Sequence, residues 1–132
     1  MVEEPSGRRG QSAARRVLVV DDDPDILDAL SEILEVEGYE VQRARNGREA
    51  LQRLERGLPD LVLLDLMMPV MDGWEFARSL SPAARPPIIV LSADRNVSSR
   101  AKEIGAVEWL AKPFELSELL AAVRRVVPFG RS

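Results

Sequence analysis

The chain has 132 residues and a formal net charge of −4, with 45% apolar and 30% charged residues. That is the balance of one soluble globular domain able to bury roughly 68% of its unfolded surface, and the acidic excess speaks against direct nucleic-acid binding. Cysteine and histidine are both absent, which excludes disulfide frameworks, thiol catalysis, imidazole- or thiolate-bound metals, Ser-His-Asp triads and phosphohistidine on this chain. Chemistry is left to carboxylates, hydroxyls, Lys, Arg and a hard metal held by oxygens.

Residues 1–15 are rich in Glu, Gly, Ser and Arg without periodicity and read as a flexible tail. They lack the apolar run of a signal peptide, and no later stretch reaches the roughly 18 apolar residues of a membrane span. A cytoplasmic location is expected. From Arg16 the pattern changes. Val17-Leu18-Val19-Val20 is a β-branched run suited to a strand buried on both faces. Asp23 before Pro24 signals a helix start, and Ile26, Leu27, Leu30, Ile33 and Leu34 continue at helical spacing to a stop at Gly38.

The same phrase recurs. A second strand is expected over Tyr39 to Ala44, then a turn at Asn46-Gly47 and a helix carrying Ala50, Leu51 and Leu54 to Gly57. Leu61 to Leu64 forms a third strand ending at Asp65, followed by a loop and a short helix from Asp72-Gly73 through Trp74, Phe76 and Leu80. A Pro-containing stretch, Ser81 to Pro87, follows it. Ile88 to Leu91 is a fourth strand ending at Ser92; Val97, Ala101 and Ile104 mark a helix stopped by Gly105. Val107 to Ala111 is a fifth strand ending at Lys112-Pro113, and Leu116, Leu119, Leu120, Val123 and Val127 mark a final amphipathic helix. Five alternations of strand and helix predict an α/β, doubly wound, five-stranded parallel sheet. The domain is expected over residues 16–127, with a short tail at 128–132.

Polar side chains fall at the carboxyl ends of four strands: Asp21 and Asp22, Asp65, Ser92 and Lys112. In open parallel sheets the functional crevice lies beyond those ends. Clustered carboxylates repel unless a cation joins them, and Mg²⁺ suits one or two carboxylates together with phosphate oxygens. Lys112 adds a point charge for a phosphate and Ser92 a hydrogen-bond donor. A metal, an ammonium and a donor around one carboxylate make a phosphoryl-transfer environment in which the carboxylate can be the nucleophile.

The runs Val-Leu-Val-Val-Asp-Asp-Asp-Pro-Asp, Leu-Val-Leu-Leu-Asp-Leu-Met-Met-Pro-Val-Met-Asp-Gly, Ile-Val-Leu-Ser-Ala and Ala-Lys-Pro-Phe, in that order, resemble the receiver domain of two-component response regulators. The resemblance covers about residues 16–127. It implies a flavodoxin-like fold with strand order 2-1-3-4-5, and Asp65 as the phosphoacceptor. It further implies Asp21 and Asp22 as the acidic pair holding Mg²⁺ together with Asp65 and the backbone carbonyl of Met67. Ser92 matches the switch hydroxyl, Lys112 the phosphate-binding lysine, and Trp109 the aromatic switch position. The Lys112-Pro113 peptide is expected to be cis. Three features depart from the usual pattern: Ser92 stands where Thr is commoner, Trp109 is bulkier than the usual Tyr or Phe, and the stretch from Ser81 to Pro87 makes the link between Asp65 and Ser92 short, so a truncated third helix is expected there.

The implied donor is a sensor histidine kinase or a phosphotransfer protein, and the implied readout is a change in protein contacts on the face of the fourth helix, fifth strand and fifth helix. No dedicated turnover activity, direct DNA binding or membrane contact is expected, and the chain is expected to be a monomer or weak dimer. The alternative is a receiver-like interaction module that works without phosphate. A flavodoxin-like nucleotide binder would want a Ser-, Thr- or Gly-rich loop where three aspartates stand, and an aspartyl phosphatase would want an acid where Met67 stands.

Overall fold

A computed structural model describes residues 15–66, 73–80 and 85–128. In chain order the elements are β1 (Arg16–Val20), α1 (Pro24–Val36), β2 (Glu40–Ala44), α2 (Gly47–Glu55) and β3 (Leu61–Asp65). They continue with α3 (Gly73–Arg78), β4 (Ile88–Ser92), α4 (Val97–Ile104), β5 (Glu108–Ala111) and α5 (Leu116–Val126). The strands form one sheet in the order β2-β1-β3-β4-β5, and every pairing is parallel. The expected fold class and strand order are both observed.

The apolar runs explain this layering. Successive side chains of a strand point to opposite faces. In β1, Leu18 and Val20 join Val62, Leu64, Ile88 and Val90 under α2, α3 and α4, against Ala50, Phe76 and Ala101. Val17 and Val19 join Leu61, Leu63, Ile89 and Leu91 on the other face, under Leu27, Leu30 and Leu34 of α1 and Leu119 and Val123 of α5. With both faces covered, the polar residues that interrupt these runs fall where the strands end.

Local signals set most boundaries. The Asp23 carboxylate accepts the Asp25 N–H at 2.9 Å and caps α1, as the Asp-Pro pair predicts. Gly105, at φ +85°, ends α4 in the left-handed region, and the Arg85 guanidinium donates to the Ile104 carbonyl beside it. At α5, Glu118 accepts the Glu115 N–H at 2.9 Å. The third helix is six residues long and stops at Arg78, before Leu80, consistent with a Pro-rich exit.

Three strand starts differ from expectation by one residue; β1 begins at Arg16 rather than Val17. Tyr39 precedes β2 because its side chain is drawn under the end of α5, where its hydroxyl donates to the Val127 carbonyl at 2.7 Å. Burial pushes the Tyr39 phenol above its ordinary pKa, so the donor stays protonated. Val107 still donates its N–H to the Ile88 carbonyl at 2.8 Å, but β5 itself begins at Glu108. Glu108 receives two hydrogen bonds from Arg125 on α5, at 2.7 and 2.8 Å, and these hold its carboxyl below the usual range. Stability from that pair is present above the ordinary carboxylate pKa and is lost as pH falls through the depressed one.

The Tyr39–Val127 bond joins residues 88 apart at the far end of the sheet from the aspartates. Tyr39→Phe leaves that buried carbonyl without its donor and is expected to lower the unfolding free energy by about 1 kcal/mol. Urea titration checks this as a lower midpoint at unchanged slope.

Candidate functional site

The site lies along the carboxyl edge of the central strands. Asp21 follows β1 directly; its N–H continues the ladder to the Ala44 carbonyl at 3.1 Å, and its Oδ1 accepts the Asp23 N–H at 2.9 Å. These bonds hold the Asp21 carboxylate in a buried place, whereas Asp22 is exposed. Asp65 is the last residue of β3 and is also buried. Asp21, Asp22 and Asp65 each offer a carboxylate oxygen, and the three oxygens lie within 4.8 Å of one another.

Lys112 reaches this group from the other side of the sheet. Its Nζ lies 3.1 Å from Asp21 Oδ2 and 3.6 Å from Asp65 Oδ2. The Lys112 N–H donates to the Ser92 carbonyl at 2.9 Å, and the Lys112–Pro113 peptide is cis, as expected. Three carboxylates and one ammonium carry a charge of −2, and the converging donors are all hard oxygens. That donor chemistry fits a small divalent cation.

Ser92 ends β4 and is fully buried. Its Oγ accepts the Asp94 N–H at 3.1 Å, so the hydroxyl is engaged with the loop that follows the strand. Trp109 does not join the group. It pairs in register with Val90, two positions before Ser92, and is 42% exposed on β5. Met67 lies outside the described residues.

Two features of the site's surroundings escaped the sequence reading. An apolar groove of about 440 Å³ adjoins Lys112, lined by Ile26, Ala29, Leu30, Ala93, Phe114 and Leu116 among others. Leu116 belongs to the apolar stripe expected of the last helix, yet it is 49% exposed and faces this groove. The second feature is an ion pair between Asp94 and Arg100 at 3.3 Å, which joins the loop after β4 to α4. Its only trace in the sequence is the Asp-Arg-Asn turn composition just before the helix.

Comparison with known proteins agrees with this arrangement. The sequence matches the family described as the response regulator receiver domain over residues 17–124. It is 45% identical over 115 residues to the response regulator MprA of Mycolicibacterium vanbaalenii, covering 85% of this chain and 50% of that protein. The chain thus spans about half the length of the mycobacterial relatives it matches. Among solved structures, the chemotaxis protein CheY4 of Vibrio cholerae superposes with a TM-score of 0.79 at 36% identity, covering 87% of this chain and all of that one. The Thermotoga maritima response regulator TrrA, solved in complex with Mg(2+)-BeF, gives a TM-score of 0.77 at 38% identity, covering 86% of this chain and 99% of that one. With its fold, its acidic edge and most of its length accounted for in this way, the chain belongs to the response regulator receiver domain family.

Proposed function

We propose that this receiver domain accepts a phosphoryl group on Asp65 from the phosphohistidine of a sensor histidine kinase or phosphotransfer protein. The observation that carries the reading is the convergence of Lys112 and the Asp21–Asp22 pair on the Asp65 carboxylate. A receiver domain is a regulatory switch rather than a dedicated enzyme, so the chemistry serves to change contacts.

A carboxylate oxygen of Asp65 attacks phosphorus, the P–N bond to the donor imidazole breaks, and an acyl phosphate forms on this chain. Lys112 presents its ammonium to the transferring oxygens from a position already held between Asp21 and Asp65. Asp21, Asp22 and Asp65, together with the Met67 backbone carbonyl, would hold Mg²⁺, which neutralises charge on the phosphoryl oxygens when bound. The apolar groove beside Lys112 offers the donor protein a surface next to the reacting edge.

The added group brings roughly −1.5 to −2 of charge if it behaves like other phosphorylated side chains. Ser92 then exchanges its bond to the Asp94 N–H for one to a phosphoryl oxygen. Trp109, outward and part-exposed on β5, turns inward behind it, and the face of α4, β5 and α5 changes its affinity for a downstream protein. No helix among the described residues is long and apolar enough to cross a membrane; a cytoplasmic location is part of the same proposal.

Two outcomes are expected. In metal-free buffer Asp22→Asn removes one of three crowded carboxylates and is expected to raise the melting temperature by about 2–5 °C, read by calorimetry. Intact mass after incubation with a small phosphodonor should show one added phosphoryl group, present only with Mg²⁺ and absent in Asp65→Asn. A folded wild type that stays unmodified would instead favour an interaction module that works without phosphate.

A further inference from the structure

Asp21, Asp22 and Asp23 form the link between the end of β1 and the start of α1. Only the first two lend a carboxylate to the acidic edge. Asp23 turns its own to the helix, where Oδ1 accepts the Asp25 N–H at 2.9 Å and the Ile26 N–H at 3.5 Å. Its carbonyl accepts the Leu27 N–H at 3.0 Å. Residue 23, extended at φ −86° and ψ 113°, is thereby fixed to the first turn of α1, and Pro24 sets the backbone that follows. Leu27, Leu30 and Leu34 in turn hold α1 against the sheet.

The N–H of Asp23 serves the other side, donating to Asp21 Oδ1 at 2.9 Å. Lys112 Nζ meets Asp21 Oδ2 at 3.1 Å, so both oxygens of this buried carboxylate have a partner. Asp22 is bracketed. The Asp21 N–H before it is bonded to the Ala44 carbonyl at 3.1 Å, and Asp23 after it is bonded to the helix. One capping residue thus stands behind both neighbouring aspartates of the edge.

We propose that Asp23 is a positioning residue for the cation site: its cap on α1 holds its own N–H against Asp21 and fixes the link that carries Asp22, so that both carboxylates are ordered before a cation arrives. The proposal rests on the acidic edge being a cation site and names what orders it. Hydrogen-bond partners behind a ligating carboxylate orient it and strengthen binding. Without the cap, the entropy cost of ordering the link falls on cation binding. The role belongs to the hydrogen bonds of Asp23 and not to its charge, because a cap needs only an acceptor at that place.

The test is calorimetric titration of the full chain with Mg²⁺ at about 0.15 M ionic strength, which screens the exposed Asp23 charge. Asp23→Asn and Asp23→Ser keep a capping acceptor and are expected to bind within about twofold of wild type. Asp23→Ala removes the acceptor, and Asp23→Gln carries it one methylene too far out. Both are expected to bind about three- to tenfold more weakly, the usual worth of a cap, and either serves if the other folds poorly. A cap that only steadied α1 would lower the melting temperature of Asp23→Ala in metal-free buffer and leave its Mg²⁺ affinity at the wild-type value, which would overturn the proposal. So would Asp23→Asn binding as weakly as Asp23→Gln, since the two are equally neutral and differ in the cap. Either result leaves the cation site standing, whereas a wild type that binds no Mg²⁺ overturns both.

Discussion

Asp21, Asp22 and Asp65 bring three carboxylate oxygens within 4.8 Å of one another at the mouth of a sheet whose faces are apolar. At such separations each ionised pair repels by about 3–4 kcal/mol at an effective dielectric near 20, with stronger screening at exposed Asp22. The sheet can hold this arrangement because the cost falls at the strand ends, while β1 and β3 behind them are buried along nearly their whole length. Lys112 offsets part of the charge through its contacts at 3.1 and 3.6 Å. The remaining negative charge, presented by hard oxygens, suits a small divalent cation.

That constraint gives the rest of the chain its purpose. β1, β3 and β4 are two-sided apolar runs, and register sets which side chain emerges at the edge: Asp65 lies one position past the Leu64–Val90 pair, and Ser92 sits opposite Ala111 just before Lys112. A slip of one residue would exchange the faces of such a strand and shift its terminal polar residue, Asp65 or Ser92, along the edge. Stability and chemistry are thus enforced by the same pattern. The last side chain of β4, Ser92, is bonded to the loop that Asp94 and Arg100 join to α4.

Periodicity was enough to read the order of elements, the Asp23 cap, the Gly105 stop and the convergence of four strand ends, because each is written locally or at a fixed spacing. What stayed hidden depends on the direction of side chains across elements. Tyr39 reads as a strand residue by type, yet its hydroxyl is claimed by Val127, 88 residues away. Leu116 fits the apolar stripe of α5, but α1 and the segment after β5 leave a groove there instead of a packed contact. The bond of Arg85 to the Ile104 carbonyl and the pair of Arg100 with Asp94 engage charged side chains that composition alone assigns to the solvent. Trp109 follows the family pattern by position, whereas its exposure on β5 emerges only once the edge strand is placed.

The proposed chemistry requires the acidic edge to act as a cation site. Direct calorimetric titration of the metal-free chain with Mg²⁺ tests that claim without any phosphodonor or partner. Wild type is expected to show a single site, and both Asp22→Asn and Asp65→Asn a markedly weaker one. Wild type that binds no Mg²⁺ while folded, or affinity that survives both substitutions, would contradict it.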